Sequence, residues 1–244
     1  MLSDMTQEIE GTLKSLKING FDAQFVQSAT KAKELMLKMI PLGASVGIGD
    51  STTLRQIGIV EELIKRGNNV INPFIPTLTR GMAEKPARQR LFFQTVRRTF
   101  GTDVFLSGSN ALTEDGKLVN IDRAGNRVAG IIFGAEKVIL PVGRNKIVKD
   151  VDQAIKRIKN VIAPAHAKRK KNKTPCAING KCTDCRSPDR ICNVTVILEK
   201  KPLNTNVCVI LINEDLGLGW DPDWDEKRIS SIESSYYQNT WSFK

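Results

Sequence analysis

Segments with apolar residues on one helical face alternate along this chain with short, nearly continuous apolar runs. The first helix is predicted over residues 3–17, with Leu13, Leu16 and Ile18 on or near one face and Asn19-Gly20 as its stop. A strand over 23–26 follows, then a helix capped by Ser28 and ended by Pro41. Residues 44–49 read as a strand running into glycines, after which Asp50-Ser51-Thr52 opens a helix to about Arg66. Gly67 stops that helix, and residues 69–74 form the next strand. The pattern continues with a helix over 85–98 and strands at 104–107, 128–133 and 138–142. An amphipathic helix over 147–161 then ends near Pro164, and β-branched runs at 194–198 and 207–212 close the series.

This alternation is the grammar of an α/β fold: a largely parallel sheet flanked by helices. The unbroken apolar run at 207–212 suits a strand buried on both faces, which makes Cys208 a small core hydrophobe. All three tryptophans (Trp220, Trp224, Trp241) and both tyrosines (Tyr236, Tyr237) lie in the last 25 residues. Leaving so much aromatic area in water is costly, so the tail at 221–244 is expected to fold back over the domain at 1–220 or to clasp a second copy in a homo-oligomer.

Composition sets limits on function. Of the 244 residues, 41% are hydrophobic and 26% charged, a globular balance. No apolar run approaches the roughly 20 residues that cross a bilayer, and residues 1–10 carry acids without a basic start and apolar core. A cytoplasmic protein with reduced thiols is expected. The net charge of +11 suggests nucleic acid at first, but nine basic residues and no acid lie between Gln153 and Thr183. Without those nine, 28 basic residues face 26 acidic ones. The patch holds no Phe, Tyr or Trp, so nucleic-acid binding is not expected. It reads as a solvated linker, a docking surface for an acidic redox partner protein, or a positive neighbour for thiolates.

The chemistry concentrates in Cys176-x5-Cys182-x2-Cys185-x6-Cys192, within a loop at 174–193. Disulfides are disfavoured by compartment, leaving metal ligation. Structural zinc usually has two Cys-x2-Cys knuckles, and here one pair is flanked by single cysteines. An iron–sulfur cluster, expected as 4Fe–4S, is the leading reading; zinc is the alternative, and a metal-free cysteine loop stays open. His166, the only histidine, lies beside the basic run and reads as a linker residue, which makes a Ser-His-Asp site improbable.

A second signal is the strand–glycine–helix passage through Gly47, Gly49, Asp50, Ser51 and Thr52, an arrangement whose free N–H groups hold phosphate or carboxylate. It is neither a Rossmann fingerprint nor a P-loop, and a helix cap explains it nearly as well. A third is the set Gly108, Asn110, Asn120, Asp122, Asn126 and Arg127 at predicted strand ends. Ligands bind at the carboxyl ends of strands in open α/β sheets. These residues are therefore expected to converge with the Gly47–Thr52 turn on one small anionic ligand, Arg127 supplying a bidentate charge, or else merely to cap turns. Glu114 sits in a Glu-Asp-Gly turn and reads as structural. No catalytic residue is assigned.

Taken together, Gly49-Asp50-Ser51-Thr52-Thr53-Leu54, Gly108-Ser109-Asn110-Ala111, Asn120-Ile121-Asp122, Gly125-Asn126-Arg127-Val128, Gly143-Arg144-Asn145-Lys146 and Glu214-Asp215-Leu216-Gly217 resemble the lactate-utilization (LUD) domain family, of LutC/YkgG-like type, over about residues 5–220. The resemblance implies a fold similar to the NagB/RpiA/CoA transferase-like superfamily and an association with lactate oxidation alongside iron–sulfur partners. The four cysteines lie inside the domain, whereas the larger iron–sulfur subunits of the family carry theirs on a separate extension.

Overall fold

The computed structural model describes residues 2–75, 78 and 84–239, with the side chains of 2–6 and 85 excepted. Trp241, part of the expected aromatic tail, lies outside the described residues. The strands are β1 (Asp22–Val26), β2 (Ser45–Ile48), β3 (Asn69–Ile71), β4 (Val104–Leu106), β5 (Ala111–Thr113), β6 (Leu118–Asp122), β7 (Lys137–Gly143), β8 (Ile147–Val148), β9 (Val194–Leu198) and β10 (Asn206–Ile212). The α-helices are α1 (Leu2–Ile18), α2 (Ala29–Met39), α3 (Thr52–Ile57), α4 (Ile59–Lys65), α5 (Lys85–Arg98), α6 (Asn126–Ile132), α7 (Val151–Arg157), α8 (Ala163–Arg169), α9 (Pro175–Asn179) and α10 (Glu226–Gln238).

Six strands form a sheet in the order β1-β10-β7-β4-β2-β3, every pair parallel. The interior strand β10 shows why the sheet needs two helical layers. Val207, Val209 and Leu211 enter one core cluster, while Cys208, Ile210 and Ile212 enter the other. Successive side chains point to opposite faces, and full burial of each aliphatic stabilises by roughly 1.5–3 kcal/mol. Residues of α1 and α6 join the first cluster, and residues of α2, α3 and α4 the second. Burial pushes the Cys208 thiol up to about 12, as expected of a core residue.

A second sheet, β8-β5-β6-β9, was not anticipated. β5 and β6 are an antiparallel hairpin turned at Glu114-Asp115-Gly116, and β9 extends it antiparallel while β8 adds in parallel. Glu114 is exposed on that turn, in keeping with a structural role. A third core forms where this sheet meets α7, α8 and the tail, around Val119, Ile158, Leu218 and Tyr236.

Three element expectations need correction. The run at 128–133 lies within or just beyond α6 and is not a strand, because Asp122 Oδ2 accepts the N–H groups of Arg127 and Val128 and caps a helix start. The helix from Asp50 towards Arg66 is broken at Gly58, whose φ of 69° is left-handed. The helix expected over 147–161 begins with a strand, and its helical part runs past Pro164 to Arg169. A π turn (Ile158–Ile162), in which the Ala163 N–H donates to Ile158 O, accommodates the proline. Among the described residues no helix is long and apolar enough to cross a membrane.

Candidate functional site

The carboxyl ends of β2 and β4, the β5–β6 hairpin and the helical run from α7 to α8 enclose a cavity of about 660 Å³. Ser51 caps α3, its Oγ accepting from Leu54 N at 3.3 Å, and this sets Asp50, Ser51, Thr52 and Thr53 along the cavity wall. Gly108, Asn110, Asp122, Asn126 and Arg127 line it as well. Three of the sequence candidates lie behind the wall. A Cβ on Gly47 would come within 2.5 Å of Thr99 O, and one on Gly49 within 2.7 Å of Ser107 Oγ, so both glycines permit close packing. Asn120 is fully buried and accepts the Asn110 N–H.

Arg127 is placed differently from a free ligand-binding fork. Its Nη1 donates to Gly108 O at 2.9 Å and Asn120 Oδ1 at 2.6 Å. Its Nη2 donates to Asn110 Oδ1 at 2.9 Å and Asp122 Oδ1 at 2.6 Å. Asn110 Oδ1 also accepts Ile121 N–H at 2.9 Å, tying the two ends of the hairpin together. The guanidinium is thus consumed in holding the polar loops in place, and it adds positive charge without an open bidentate face.

Two groups that the fold brings to this wall, Lys146 and His166, are not among the sequence candidates. Lys146 follows β7 in the Gly143-Arg144-Asn145-Lys146 motif, is 6% exposed, and donates from Nζ to Ser109 O at 2.9 Å. Burial, with Arg127 as a second positive neighbour, brings its amine down to about 7. Asn145 holds the opposite strip in place, its Oδ1 accepting Leu216 N–H and its Nδ2 donating to Gly219 O, both at 2.9 Å. The family-like motifs at 143–146 and 214–217 therefore meet over the cavity. The only local signal for Lys146 is a lysine just past an apolar strand.

His166 is a wall residue and not a linker residue: its Nδ1 lies 2.5 Å from Tyr236 Oη on α10. Enclosure and the nearby Lys170, Arg169 and Arg55 hold the imidazole well below its ordinary range. The basic run is correspondingly folded in. Arg157 is buried, donating to Asn145 O and Ile147 O and standing over Trp224. Lys170 pairs with Asp50 at 3.8 Å, which Arg55 Nη2 also contacts at 2.7 Å. Burial alone would push the Asp50 carboxyl up, but Arg55, Lys170, His166 and Arg169 outweigh it and hold it low.

The four cysteines line a second, much smaller cavity with Lys159, Thr174, Asp184 and Arg190. Asp184 sits between the knuckle cysteines at φ 47°, a left-handed turn that aims its N–H at Cys182 Sγ, 3.5 Å away. Arg190 staples the loop: Nη1 donates to Cys185 O at 2.6 Å, Nε to Cys192 O at 3.1 Å and Nη2 to Asp184 Oδ1 at 2.7 Å. Burial, then the neighbouring Cys182 and Cys176, raise the Cys192 thiol, while Arg190 and Lys159 lower it. A backbone donor on the Cys182 sulfur, the adjacent cations Lys159 and Arg190, and four thiols lining one small cavity are the donor chemistry a thiolate-ligated centre uses. Among the described residues, no three His, Cys, Asp or Glu side chains close to metal-ligand distances.

A crystal structure of a DUF162 family protein from Deinococcus radiodurans is similar with a TM-score of 0.48 at 11% identity, covering 86% of this chain and 98% of that one. A D-ribose-5-phosphate isomerase in complex with phospho-erythronic acid is similar with a TM-score of 0.32 at 18% identity, covering 51% of this chain and 55% of that one. No curated protein matches the sequence. The family model described as LUD domain matches residues 9–212, which spans the strip at 143–146 and the whole cysteine loop and stops just before the strip at 214–217, and the chain belongs to the LUD-domain family.

Proposed function

We propose that this chain is a redox-associated LUD protein in which Cys176, Cys182, Cys185 and Cys192 hold an iron–sulfur centre, expected as 4Fe–4S, beside a cavity for a small carboxylate or phosphate. One observation carries the reading: Cys192 and its neighbour Ile191 line the cysteine cavity and the large cavity alike. A centre bound there supplies one-electron chemistry next to the ligand. The residues of the chain do the remaining work. Arg190 fixes the carbonyls of Cys185 and Cys192, and the Asp184 N–H supports the Cys182 sulfur.

The large cavity favours an anion. Among the described residues, Arg55, Arg123, Arg127, Lys146 and Lys170 line it against two carboxylates, Asp50 and Asp122, each already paired with an arginine. Ser51, Thr52 and Thr53 add hydroxyls, and Phe92 and Phe93 add an apolar side that excludes water. Organic-acid oxidation of the lactate type suits this charge, and the exposed lysines of the basic run suit an acidic redox partner protein.

Anaerobic purification is the test. The expected product is a brown protein with iron and sulfide in comparable amounts, and Cys182→Ala loses the colour while its far-ultraviolet circular dichroism is retained. A colourless protein holding one zinc rejects the redox role and leaves a ligand-binding module with a structural metal.

A further inference from the structure

Among the cationic groups of the large cavity, Lys146 stands apart. Asp50 takes up Arg55 and Lys170, Asp122 takes up Arg127, and among the described residues no carboxylate lies within ion-pair distance of the Lys146 amine. Among the described residues its hydrogen bond is to a backbone carbonyl, Ser109 O. An amine that only held an anion would gain from keeping its proton, and a countercharge would help it do so. This one is enclosed, has a cation as neighbour, and is held near neutrality at about 7. Desolvation and an adjacent positive group are the two conditions that turn a lysine into a nucleophile.

The fold brings the amine and a hydroxyl to one wall: Lys146, Thr53 and Gly217 all line the large cavity. Gly217 has a φ of 71°, and a Cβ there would stand 2.8 Å from Lys146 Nζ and 2.6 Å from Thr53 Oγ1. The bare glycine backbone thus packs close against both the amine and a hydroxyl that can pass a proton, and a side chain there would crowd them.

We infer that Lys146 forms an imine with a carbonyl compound that carries a carboxylate or phosphate, seated in the large cavity beside the Thr53 hydroxyl. The amine lone pair attacks the carbonyl carbon, a C–N bond forms, and the carbonyl oxygen takes up a proton to give the carbinolamine. Loss of that oxygen as water leaves the imine, so no oxidant or reductant is needed. The inference rests on reading the cavity as an anion site and is independent of the cysteine centre.

The test is reductive trapping. The full chain is incubated near pH 7 with sodium cyanoborohydride and either pyruvate or glycolaldehyde phosphate, then digested and mapped by mass spectrometry. The expected result is one reduced adduct on Lys146, at least tenfold above any surface lysine, and the two compounds distinguish a carboxylate from a phosphate ligand. Gly217→Ala should suppress the adduct and Lys146→Arg should abolish it, with folding of each checked by circular dichroism. Equal labelling of Lys146 and surface lysines, or none at Lys146, overturns the imine. Saturation-transfer NMR with the same compounds separates the causes: binding without an adduct leaves the anion cavity standing, and absence of binding removes both.

Discussion

An enclosed amine without a carboxylate weakens the fold that contains it, and Lys146 shows by how much. Burial brings its pKa from 10.5 down to about 7, so the folded chain must keep neutral an amine that the unfolded chain protonates. That cost is complete below about pH 7 and fades as the pH rises towards the unfolded value. Lys146→Met should therefore raise unfolding free energy at pH 7 by about 3 kcal/mol after the lost Ser109 hydrogen bond is allowed for. Urea midpoints should show the gain shrinking to little by about pH 10, and a variant less stable than wild type at pH 7 rejects the account. Other wall residues are legible in the sequence because parallel strands end at one edge. Polar residues following β2 and β4, such as Asp50, Ser51 and Asn110, must then share a cleft. Lys146 and His166 are not legible, since their environment is set by Ser109, Gly217 and Tyr236, which are remote along the chain.

At the scale of elements, glycines decide where the sheet can close on its helices. In β2, Gly47 lies against the Thr99–Gly101 turn, and its N–H donates to Thr102 Oγ1 at 3.1 Å. The atom that an added methyl would meet, Thr99 O, is backbone and has nowhere to go. Gly47→Ala should cost about 3 kcal/mol through overpacking. Gly11, inside α1, has nothing within 4 Å of a built Cβ, and Gly11→Ala should stabilise by about 0.5–1 kcal/mol through helix propensity. Thermal melts of the two variants should move in opposite directions, and a Gly47→Ala protein with an unchanged midpoint rejects the packing argument. Long elements with one clear face are readable from their period. The run at 128–133 is not, because its β-branched residues match a strand while its fate is set by the Asp122 cap and by Gly130 lying on the Phe105 ring. The two- and three-residue strands β8 and β5 carry too few positions to show any period, so of the second sheet only β9 is legible in the sequence, as the run at 194–198.

Across the whole molecule, the tail adds Tyr236 to the wall of the large cavity and is itself held by the chain's own motifs. Arg228 on α10 donates from Nε and Nη2 to the Asp215 carboxylate, each at 2.8 Å, and covers Trp224 at 3.6 Å. Gln56 Nε2 donates to Ser235 Oγ at 2.7 Å, and Tyr236 is buried in the third core. The aromatic bias of the last residues foretells that the tail packs, but not against what, since that depends on where α8 brings His166. This histidine links tail docking to pH. Lys170, Asp50, Arg169 and Arg55 face it from α8 and the α3 region, and Tyr236 faces it from α10. Its folded pKa lies below the ordinary 6.5, so as the pH falls from there the unfolded chain takes up the proton first and stability is lost until the folded pKa is reached. The ring keeps part of its area towards the cavity, so the loss is smaller than full burial would give. Between about pH 6.5 and 5 the wild type should lose about 1 kcal/mol through this group. His166→Gln, which keeps a polar partner for Tyr236 but does not titrate, should flatten that slope. The Asp50 carboxyl, held low by its cations, stays charged over the same interval in both proteins. Urea midpoints at the two pH values decide the matter, and equal slopes for wild type and variant would remove His166 as the link between acid and tail release.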